Sequence, residues 1–257
     1  MIALIPVAGY ATRLYPLTKD KPKALLEIAG KPMIEQVIQK ILELPDIEKI
    51  VVVSNHVFFS QFDSWADDFQ KKISVPIIVL DDGTTSNENR LGAIGDAWFA
   101  IKKEKIDSDL IWVSGDNLFT FSILEMQKEF LSKKTDLIAC YDVKTFEEAR
   151  KMGEVRMDAN RRVNFFVEKP LQPASTLVSI GVYFYTKKTV RDFKTYLDAG
   201  NSPDKPGEFV QWLYRQKPVY GFVFDNPSDH WFDIGTLEVL EEVRNTYAGW
   251  FSKKTAQ

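Results

Sequence analysis

The sequence has little of several residue types that mark common functional classes. Its one cysteine, Cys140, excludes an internal disulfide and any multi-cysteine metal site, and we expect it to be buried in a strand. Its two histidines, His56 and His230, are too few for a histidine-rich metal cluster, so we expect structural or solvated roles. No apolar run approaches the ~20 residues of a membrane-spanning helix. The first residues also lack the basic region of a signal peptide, so we expect a cytoplasmic protein that does not enter membranes.

Excess charge of either sign is also missing. The chain has 257 residues, with 33 Lys and Arg against 36 Asp and Glu, for a net charge of −3. This balance argues against broad electrostatic binding of nucleic acid, although a local basic pocket for a phosphate ligand remains compatible with it. The length and the 45% hydrophobic content suit one large α/β domain with a sizeable core.

Three well-known motifs are absent from the sequence. No Gly-x-Gly-x-x-Gly follows the first apolar run, which counts against a dinucleotide-binding oxidoreductase. No Gly-x-x-x-x-Gly-Lys-Ser/Thr loop is present, which counts against a P-loop ATPase. No nucleophile elbow supports a Ser-His-acid hydrolase.

Apolar runs and helical periodicity alternate along the first half of the chain. The patterns predict helices at 32–44, 59–71 and 121–132, a helix starting near residue 91, and strands at 2–7, 50–54, 75–80, 110–113 and 135–141. This alternation is typical of an α/β protein with a doubly wound, mostly parallel sheet.

The pattern changes from residue 153 onward. Short strand patterns predict an added antiparallel region, and the helical patterns predict three further helices; these strands cover 153–157, 162–168, 179–185 and 219–224, and the helices 188–197, 208–214 and 236–247. No linker, repeat or low-complexity tract separates the two halves. We therefore expect one domain with a continuous sheet.

The segment after the first predicted strand has the composition of an anion-binding loop. Small residues at 8–11 let backbone N–H groups approach an anion, and Arg13 and Lys23 add positive charge that suits a polyphosphate. A positive φ at Ala11 would be costly, because this residue is not glycine.

Polar residues follow two other predicted strands. Asp116 comes directly after the strand at 110–113, where a carboxylate could hold Mg²⁺ or form a turn. The polar loop at 81–90 follows another strand and precedes Gly92. Ligands of open α/β sheets bind outside the carboxyl ends of the strands, so we expect this loop to face a ligand.

Taken together, the motifs resemble those of the sugar-phosphate nucleotidyltransferases, the nucleotide-diphospho-sugar pyrophosphorylases. The resemblance covers the chain from residue 2 to about residue 236 and rests on Ala8-Gly9, Thr12-Arg13, Pro16, Thr18, Pro22-Lys23, Gly30-Lys31-Pro32, Gly115-Asp116, Val167-Glu168-Lys169-Pro170 and Trp231-Phe232-Asp233-Ile234-Gly235-Thr236.

The resemblance implies a reaction and a set of functional residues. A Rossmann-like domain would transfer a nucleoside monophosphate from an NTP, most simply dTTP or UTP, to a sugar 1-phosphate and release pyrophosphate. Arg13 and Lys23 would be the catalytic cations, and Asp116 with Asp233 would hold the Mg²⁺ cofactor. The implied nucleotide-binding residues are Ala8, Gly9, Tyr10, Ala11, Thr12, Asn87 and Gly92, and the implied sugar-phosphate residues are Gly153, Glu168, Lys169 and Tyr183.

The resemblance also divides the chain into a nucleotide-binding half, about 1–140, and a sugar-binding half, about 141–257. Two departures from the family affect the nucleotide half. Many members carry glycine where this chain has Tyr10 or Ala11, so the loop is bulkier. Many uridylyl- and thymidylyltransferases read the base with a glutamine, whereas this chain offers Asn87 or Asn89 for paired hydrogen bonds to a pyrimidine edge.

Two alternatives stay open at this point. The opening segment is also similar to that of cytidylyltransferases that act on a phosphorylated alcohol such as phosphocholine, although the segments around Lys169 and Asp233 look more like those of sugar enzymes. A non-catalytic, nucleotide-sugar-sensing subunit should have lost a catalytic residue, and none is lost. The expected partners are an NTP and a sugar 1-phosphate, with a possible second copy of the chain and no nucleic acid.

Overall fold

A nine-stranded sheet forms the centre of the protein. The structure is a computed structural model that describes residues 1–252, with side chains described through residue 246. Residues 253–257, which belong to the predicted sugar-binding half, lie outside the described residues. In chain order the strands are β1 (Ile2–Pro6), β2 (Glu27–Ile28), β3 (Lys31–Pro32), β4 (Lys49–Ser54), β5 (Ile77–Asp81), β6 (Leu110–Val113), β7 (Asn117–Phe119), β8 (Asp136–Asp142), β9 (Gly153–Met157), β10 (Val163–Glu168), β11 (Leu177–Tyr185), β12 (Val219–Phe224) and β13 (Trp231–Asp233).

The helices alternate with these strands. They are α1 (Met33–Ile41), α2 (His56–Gln70), α3 (Ala93–Lys103), α4 (Leu124–Lys133), α5 (Phe146–Ala149), α6 (Lys187–Asp198), α7 (Pro206–Gln216) and α8 (Leu237–Ser252). Two single-turn 3₁₀ helices, Thr12–Leu14 and Lys23–Leu25, lie in the segment that follows β1.

The sheet combines a parallel and an antiparallel part. β6, β1, β4 and β5 are parallel neighbours. β11 pairs antiparallel with β6, β8 and β9, and β10 pairs antiparallel with β9. The predicted fold class, a doubly wound sheet with an added antiparallel region, is confirmed.

Successive side chains of the central strands enter two cores on opposite faces of the sheet, as the period of two in a strand requires. Leu4, Val51 and Trp112 belong to the core that contains residues of α3, α6 and α7. Ile5 and Val52 belong to the core that contains residues of α1, α2 and α4. Because both faces are covered, the strands read as continuous apolar runs in the sequence.

A separate two-stranded sheet, formed by β7 and β13, was not predicted from the sequence. Its antiparallel register pairs Asp233 with Asn117 and Phe232 with Leu118. A small apolar cluster holds it, in which Leu118 packs with Ile234 and with Leu240 of α8. This pairing brings the Asp233 carboxylate next to the carboxyl end of β6, where Asp116 lies.

Several predicted boundaries are confirmed and others shift. The strands at 110–113, 153–157 and 219–224 have the predicted ends. The helix predicted from residue 59 begins at His56, because the Asn55 side chain accepts a hydrogen bond from the N–H of Phe58 at 3.0 Å and caps the helix there. The helix predicted over 121–132 covers Leu124–Lys133 instead.

The residues that the sequence has in short supply take structural positions. Cys140 is fully buried in β8, as predicted, and burial raises the pKa of its thiol. His56 is exposed at the start of α2, and its Nδ1 lies 2.6 Å from Oδ2 of Asp81. Within residues 1–252, no helix combines the length and the apolar character that a membrane crossing needs.

Candidate active site

A cavity of about 500 Å³ opens along the carboxyl ends of β1 and β6 and extends to β10 and β11. This volume lies in the usual range for small-molecule sites. The residues that line it include twelve of the fifteen site residues named from the sequence: Ala8, Gly9, Ala11, Arg13, Lys23, Gly92, Asp116, Gly153, Glu168, Lys169, Tyr183 and Asp233.

The loop after β1 is held by side chains from outside it. Asn55 donates from Nδ2 to the Ala8 carbonyl at 2.9 Å, and Thr18 donates from Oγ1 to the Ala11 carbonyl at 2.8 Å. Ala11 has φ 46°, in the left-handed region that costs a non-glycine residue about 1–2 kcal/mol. The loop therefore keeps a strained conformation, and the hydrogen bonds of Asn55 and Thr18 help to hold it.

Lys23 and two carboxylates meet at the middle of the cavity. The Nζ of Lys23 donates to Oδ2 of Asp116 at 2.8 Å. Asp233 is adjacent, because its strand pairs with Asn117, the next residue after Asp116. The structure thus brings together three residues that are far apart in the sequence.

The two carboxylates respond differently to this environment. Burial works against ionisation of Asp116, but the charge and hydrogen bond of Lys23 outweigh it and hold its pKa below the ordinary value. Burial, together with the charge of Asp116, raises the pKa of Asp233 to about 6. Lys23, Lys169 and Arg13 act in the opposite direction on Asp233, so all three cations lie close to the carboxylate pair.

The carboxylate pair fits a divalent cation. Two close carboxylates repel each other, and a bound cation between them would relieve that repulsion. No group of three or more His, Cys, Asp or Glu side chains within residues 1–252 is placed to hold a metal ion. Mg²⁺ characteristically takes one or two carboxylates and completes its shell with water and substrate phosphates. The two carboxylates of Asp116 and Asp233 match that coordination preference.

At the other end of the cavity, the Glu168 carboxylate lies between two glycines. A Cβ at Gly207 would fall 1.9 Å from Oε2 of Glu168, and a Cβ at Gly153 would fall 3.1 Å from the same atom. Burial raises the pKa of Glu168, while the charges of Lys169 and Lys205 lower it. Glycine at both positions is therefore what leaves room for this carboxylate.

Asn117 was missed by sequence reasoning. Its Nδ2 donates to the Ile180 carbonyl, and its Oδ1 accepts a hydrogen bond from Nε1 of Trp231 at 3.2 Å. It lies next to Asp116 and ties β11 and β13 to β7. Its place directly after Gly-Asp at a strand end was the only signal in the sequence that could have identified it.

Three residues named from the sequence do not line the cavity: Tyr10, Thr12 and Asn87. Tyr10 is buried behind the first loop, and Asn87 is exposed. Asn89, the alternative to Asn87, accepts from the N–H groups of Thr85 and Ser86 and so fixes its own loop. A base-reading role for Asn87 or Asn89 stays a prediction.

The wall beside that loop combines Gly92, which was predicted, with Arg90 and Asp204, which the sequence did not indicate as site residues. Arg90 lines the cavity and donates from Nε to Oδ1 of Asp204 at 3.1 Å. Gly92 has φ 81°, and a Cβ there would lie 2.5 Å from the Pro203 carbonyl oxygen. The N–H of Ala93 donates to the Asp204 carbonyl at 3.0 Å. The start of α3 is thus bound to the segment that leads into α7.

Asp96, in the first turn of α3, should make stability depend on pH. Burial and the neighbouring Asp82 raise the pKa of Asp96 from 3.8 to about 8. Between these values the folded state binds a proton that the unfolded state releases, so this group's stabilisation falls as pH rises and is lost above pH 8. We expect urea unfolding between pH 5 and 8 to show the wild-type free energy declining against that of Asp96→Asn, by up to about 1.4 kcal/mol per pH unit. Parallel pH profiles would contradict the raised pKa.

The fold and the cavity define an α/β enzyme whose site gathers cations and a carboxylate pair at the strand ends. The nucleotidyl transferase family model matches residues 2–249. The chain therefore belongs to the nucleotidyl transferase family.

Individual relatives agree with this. UTP–glucose-1-phosphate uridylyltransferase AglF of Haloferax volcanii is 28% identical over 186 residues, which cover 72% of each protein. The bifunctional protein GlmU of Methanocaldococcus jannaschii is 25% identical over 242 residues, which cover 94% of this chain and 53% of GlmU, so the chain spans about half of that relative. A solved structure of UDP-glucose pyrophosphorylase with UDP-glucose has a TM-score of 0.79 at 20% identity, covering 96% of this chain and 97% of its own, and shows the shared fold.

Proposed function

We propose that the protein transfers a nucleoside monophosphate from UTP or dTTP to a sugar 1-phosphate, giving an NDP-sugar and pyrophosphate. One observation supports the proposal: a single cavity is lined by Lys23, Asp116 and Asp233, by the small-residue loop after β1 and by Glu168, the last residue of β10. A nucleotide and a sugar phosphate entering from the two ends would bring their phosphates together at these charges. The relative AglF, whose name specifies UTP and glucose 1-phosphate, supports the same pair of substrates.

The proposed chemistry is in-line displacement. An oxygen of the sugar phosphate attacks the α-phosphorus of the NTP, a new P–O bond forms, and the bond to the β-phosphate oxygen breaks to release pyrophosphate. A phosphate monoester is already ionised near neutral pH, so no general base is required. Positioning and charge neutralisation therefore supply most of the catalysis.

Each cation has a distinct position in this scheme. Arg13 lies in the 3₁₀ helix Thr12–Leu14 that follows the small-residue loop, where it would hold the β- and γ-phosphates and stabilise the leaving pyrophosphate. Lys23 would contact the triphosphate and the attacking phosphate, because it lies beside both carboxylates. Lys169 would bind the sugar phosphate, next to the Glu168 carboxylate that would accept from a sugar hydroxyl.

Asp116 and Asp233 would hold the divalent cation. When bound, Mg²⁺ neutralises charge on the phosphates and orients them for displacement. Lys23 keeps Asp116 ionised and thus ready to act as a ligand. A cytoplasmic location, a homo-oligomeric state and the absence of a nucleic-acid partner stay predictions of the sequence.

Pyrophosphate release tests the proposal. The purified chain would be assayed with Mg²⁺ against a grid of the common NTPs, with several sugar 1-phosphates and phosphocholine as acceptors. Release that requires UTP or dTTP together with one sugar 1-phosphate would establish the reaction and name both substrates. Release only with CTP and phosphocholine would favour the cytidylyltransferase alternative. No release from any pair, with a folded protein, would favour a nucleotide-sugar-sensing subunit.

Replacing Lys169 with alanine should selectively weaken binding of the sugar phosphate. A charge-assisted hydrogen bond is worth about 1.5–3 kcal/mol, so we expect the KM for the sugar 1-phosphate to rise ~10- to 100-fold. The KM for the NTP should change much less, because Lys169 lies at the Glu168 end of the cavity. Steady-state kinetics with each substrate varied in turn measures both constants.

Lys144→Ala is a matched control for this variant. Lys144 is exposed and has φ 67°, close to the φ of 50° at Lys169. Substitution by alanine therefore meets the same left-handed backbone conformation at both positions. Lys144 does not line the cavity. Equal weakening of both substrates in Lys169→Ala, with an unaffected Lys144→Ala, would show that Lys169 does not contact the sugar phosphate.

A further inference from the structure

Buried polar atoms without partners are concentrated behind the first loop. Among the side chains that the structure describes, six have a buried polar atom with no hydrogen-bond partner. Four of these six are oxygens of one cluster, here called the oxygen cluster: Tyr10, Asp82, Thr84 and Asp96. A buried polar group without a partner is destabilising, so such a concentration requires an explanation.

Several observations show that these four side chains are neighbours. The N–H of Thr84 donates to Oδ1 of Asp82 at 2.6 Å. Burial, with smaller contributions from the charges of Asp82 and Asp96, raises the pKa of Tyr10, while Thr84 lowers it. Asp82 also acts directly on Asp96. Glu88 is the other acidic group that acts on Tyr10.

The oxygen cluster adjoins the nucleotide end of the cavity. Tyr10 lies between Gly9 and Ala11, which both line the cavity, and Asp96 itself is a lining residue. Ala8 and Gly92 at this end are small and leave space for a flat group beside Arg90. Such a slot suits a nucleobase better than a sugar, whose hydroxyls need several polar side chains.

The two carboxylate oxygens of Asp96 differ in their surroundings. Oδ1 of Asp96 and Oδ2 of Asp82 are both shielded from solvent and have no hydrogen-bond partner. Oδ2 of Asp96 is not among these shielded oxygens and Asp96 lines the cavity, which together favour Oδ2 as the oxygen on the cavity side. A proton shared between Oδ1 of Asp96 and Oδ2 of Asp82 satisfies the two buried atoms and agrees with the raised pKa of Asp96. Oδ2 is then a neutral carbonyl-type acceptor that faces the slot.

We propose that Asp96 selects the base of the NTP by accepting a hydrogen bond at Oδ2 from the ring N3–H of uracil or thymine. This inference rests on the proposed function, and it gives the base-reading role to Asp96 in place of Asn87 or Asn89. A neutral acceptor adds no negative charge beside the triphosphate. A base without the ring N–H leaves the buried acceptor unpaired, which is how a polar pocket rejects a close analogue.

Replacement of the N3 hydrogen of the base by a methyl group tests the contact. UTP and N3-methyl-UTP would be compared as donors by pyrophosphate release, with the acceptor found for the wild-type protein. We expect kcat/KM of the wild type to fall at least tenfold on N3-methylation. Asp96→Ala should use UTP at least tenfold less well than the wild type and should no longer favour it over N3-methyl-UTP. Asp96→Asn, which keeps a carbonyl oxygen, should restore most of the preference.

The outcomes separate this inference from the proposed function. Absence of pyrophosphate release from every NTP and acceptor would overturn the proposed function itself. Release from CTP or ATP alone would overturn the base assignment and leave nucleotidyl transfer standing. An unchanged preference for UTP over N3-methyl-UTP in Asp96→Ala, in a variant whose thermal melting shows a folded protein, would show that Asp96 does not read the base.

Discussion

Asp116→Asn should lower kcat by roughly 10³-fold while the fold persists. Asparagine is nearly isosteric, but it removes the negative charge that pairs with Lys23 and that would hold the divalent cation with Asp233. A metal ion contributes several kcal/mol of charge stabilisation in a transition state, and ~4 kcal/mol corresponds to this factor. The measurement is pyrophosphate release as a function of Mg²⁺ concentration, with thermal melting to verify folding.

Asp68→Asn provides the control. Asp68 forms an ion pair with Lys71 at 2.8 Å, the same distance as in the Asp116–Lys23 pair. Both Asp68 and Lys71 are exposed on the surface. Exposed pairs contribute little, so this variant should keep wild-type rates and melting. Wild-type Mg²⁺-dependent turnover in Asp116→Asn would remove Asp116 from the proposed metal site.

Lys23→Met should produce a loss of similar order, about 10²- to 10³-fold in kcat. Methionine keeps much of the apolar stem but removes the ammonium that opposes the repulsion between Asp116 and Asp233. Loss of a preorganised donor at a developing charge typically costs a factor of this size. Because the charge would also bind the ground-state triphosphate, the KM for the NTP should rise. Rapid-quench single-turnover kinetics would separate binding from chemistry.

Lys71→Met is the corresponding control, since Lys71 is the exposed lysine of the comparison pair. It should leave both kcat and KM unchanged. The Lys23 variant also tests the effect of Lys23 on the two carboxylates, because loss of the ammonium should raise the pKa values of Asp116 and Asp233. If Lys23→Met changed KM alone and left kcat intact, Lys23 would bind the nucleotide without acting on the transition state.

Apolar patterning predicted the central sheet well. The strand at 110–113 was predicted with the correct ends, because four consecutive apolar residues buried on both faces leave a clear signal. The carboxyl ends of such strands are where ligands bind, so the position of Asp116 allowed either a metal ligand or a turn residue, and only the family resemblance favoured the metal role. The resemblance to a family, and not periodicity, also indicated Asp233.

The parts that were missed have little local signal. β7 and β13 have three residues each, too few for a period of two to be visible. The positive φ at Ala11 depends on the bond from Thr18 and on neighbouring loops, which residue preferences do not encode. Asp96 reads as an ordinary polar residue in a helix, and its partner Asp82 is brought to it only by the fold.

The pairing of β7 with β13 also has a consequence for biosynthesis. A nascent chain that has emerged as far as Phe224 already contains all nine strands of the main sheet, together with Lys23 and Asp116. It still lacks Asp233, which arrives with β13, a strand held by three residue pairs with β7, by the Trp231–Asn117 hydrogen bond and by the packing of α8. Catalytic competence should therefore appear late, after the scaffold has formed, so that a truncated or nicked chain can be folded and still inactive.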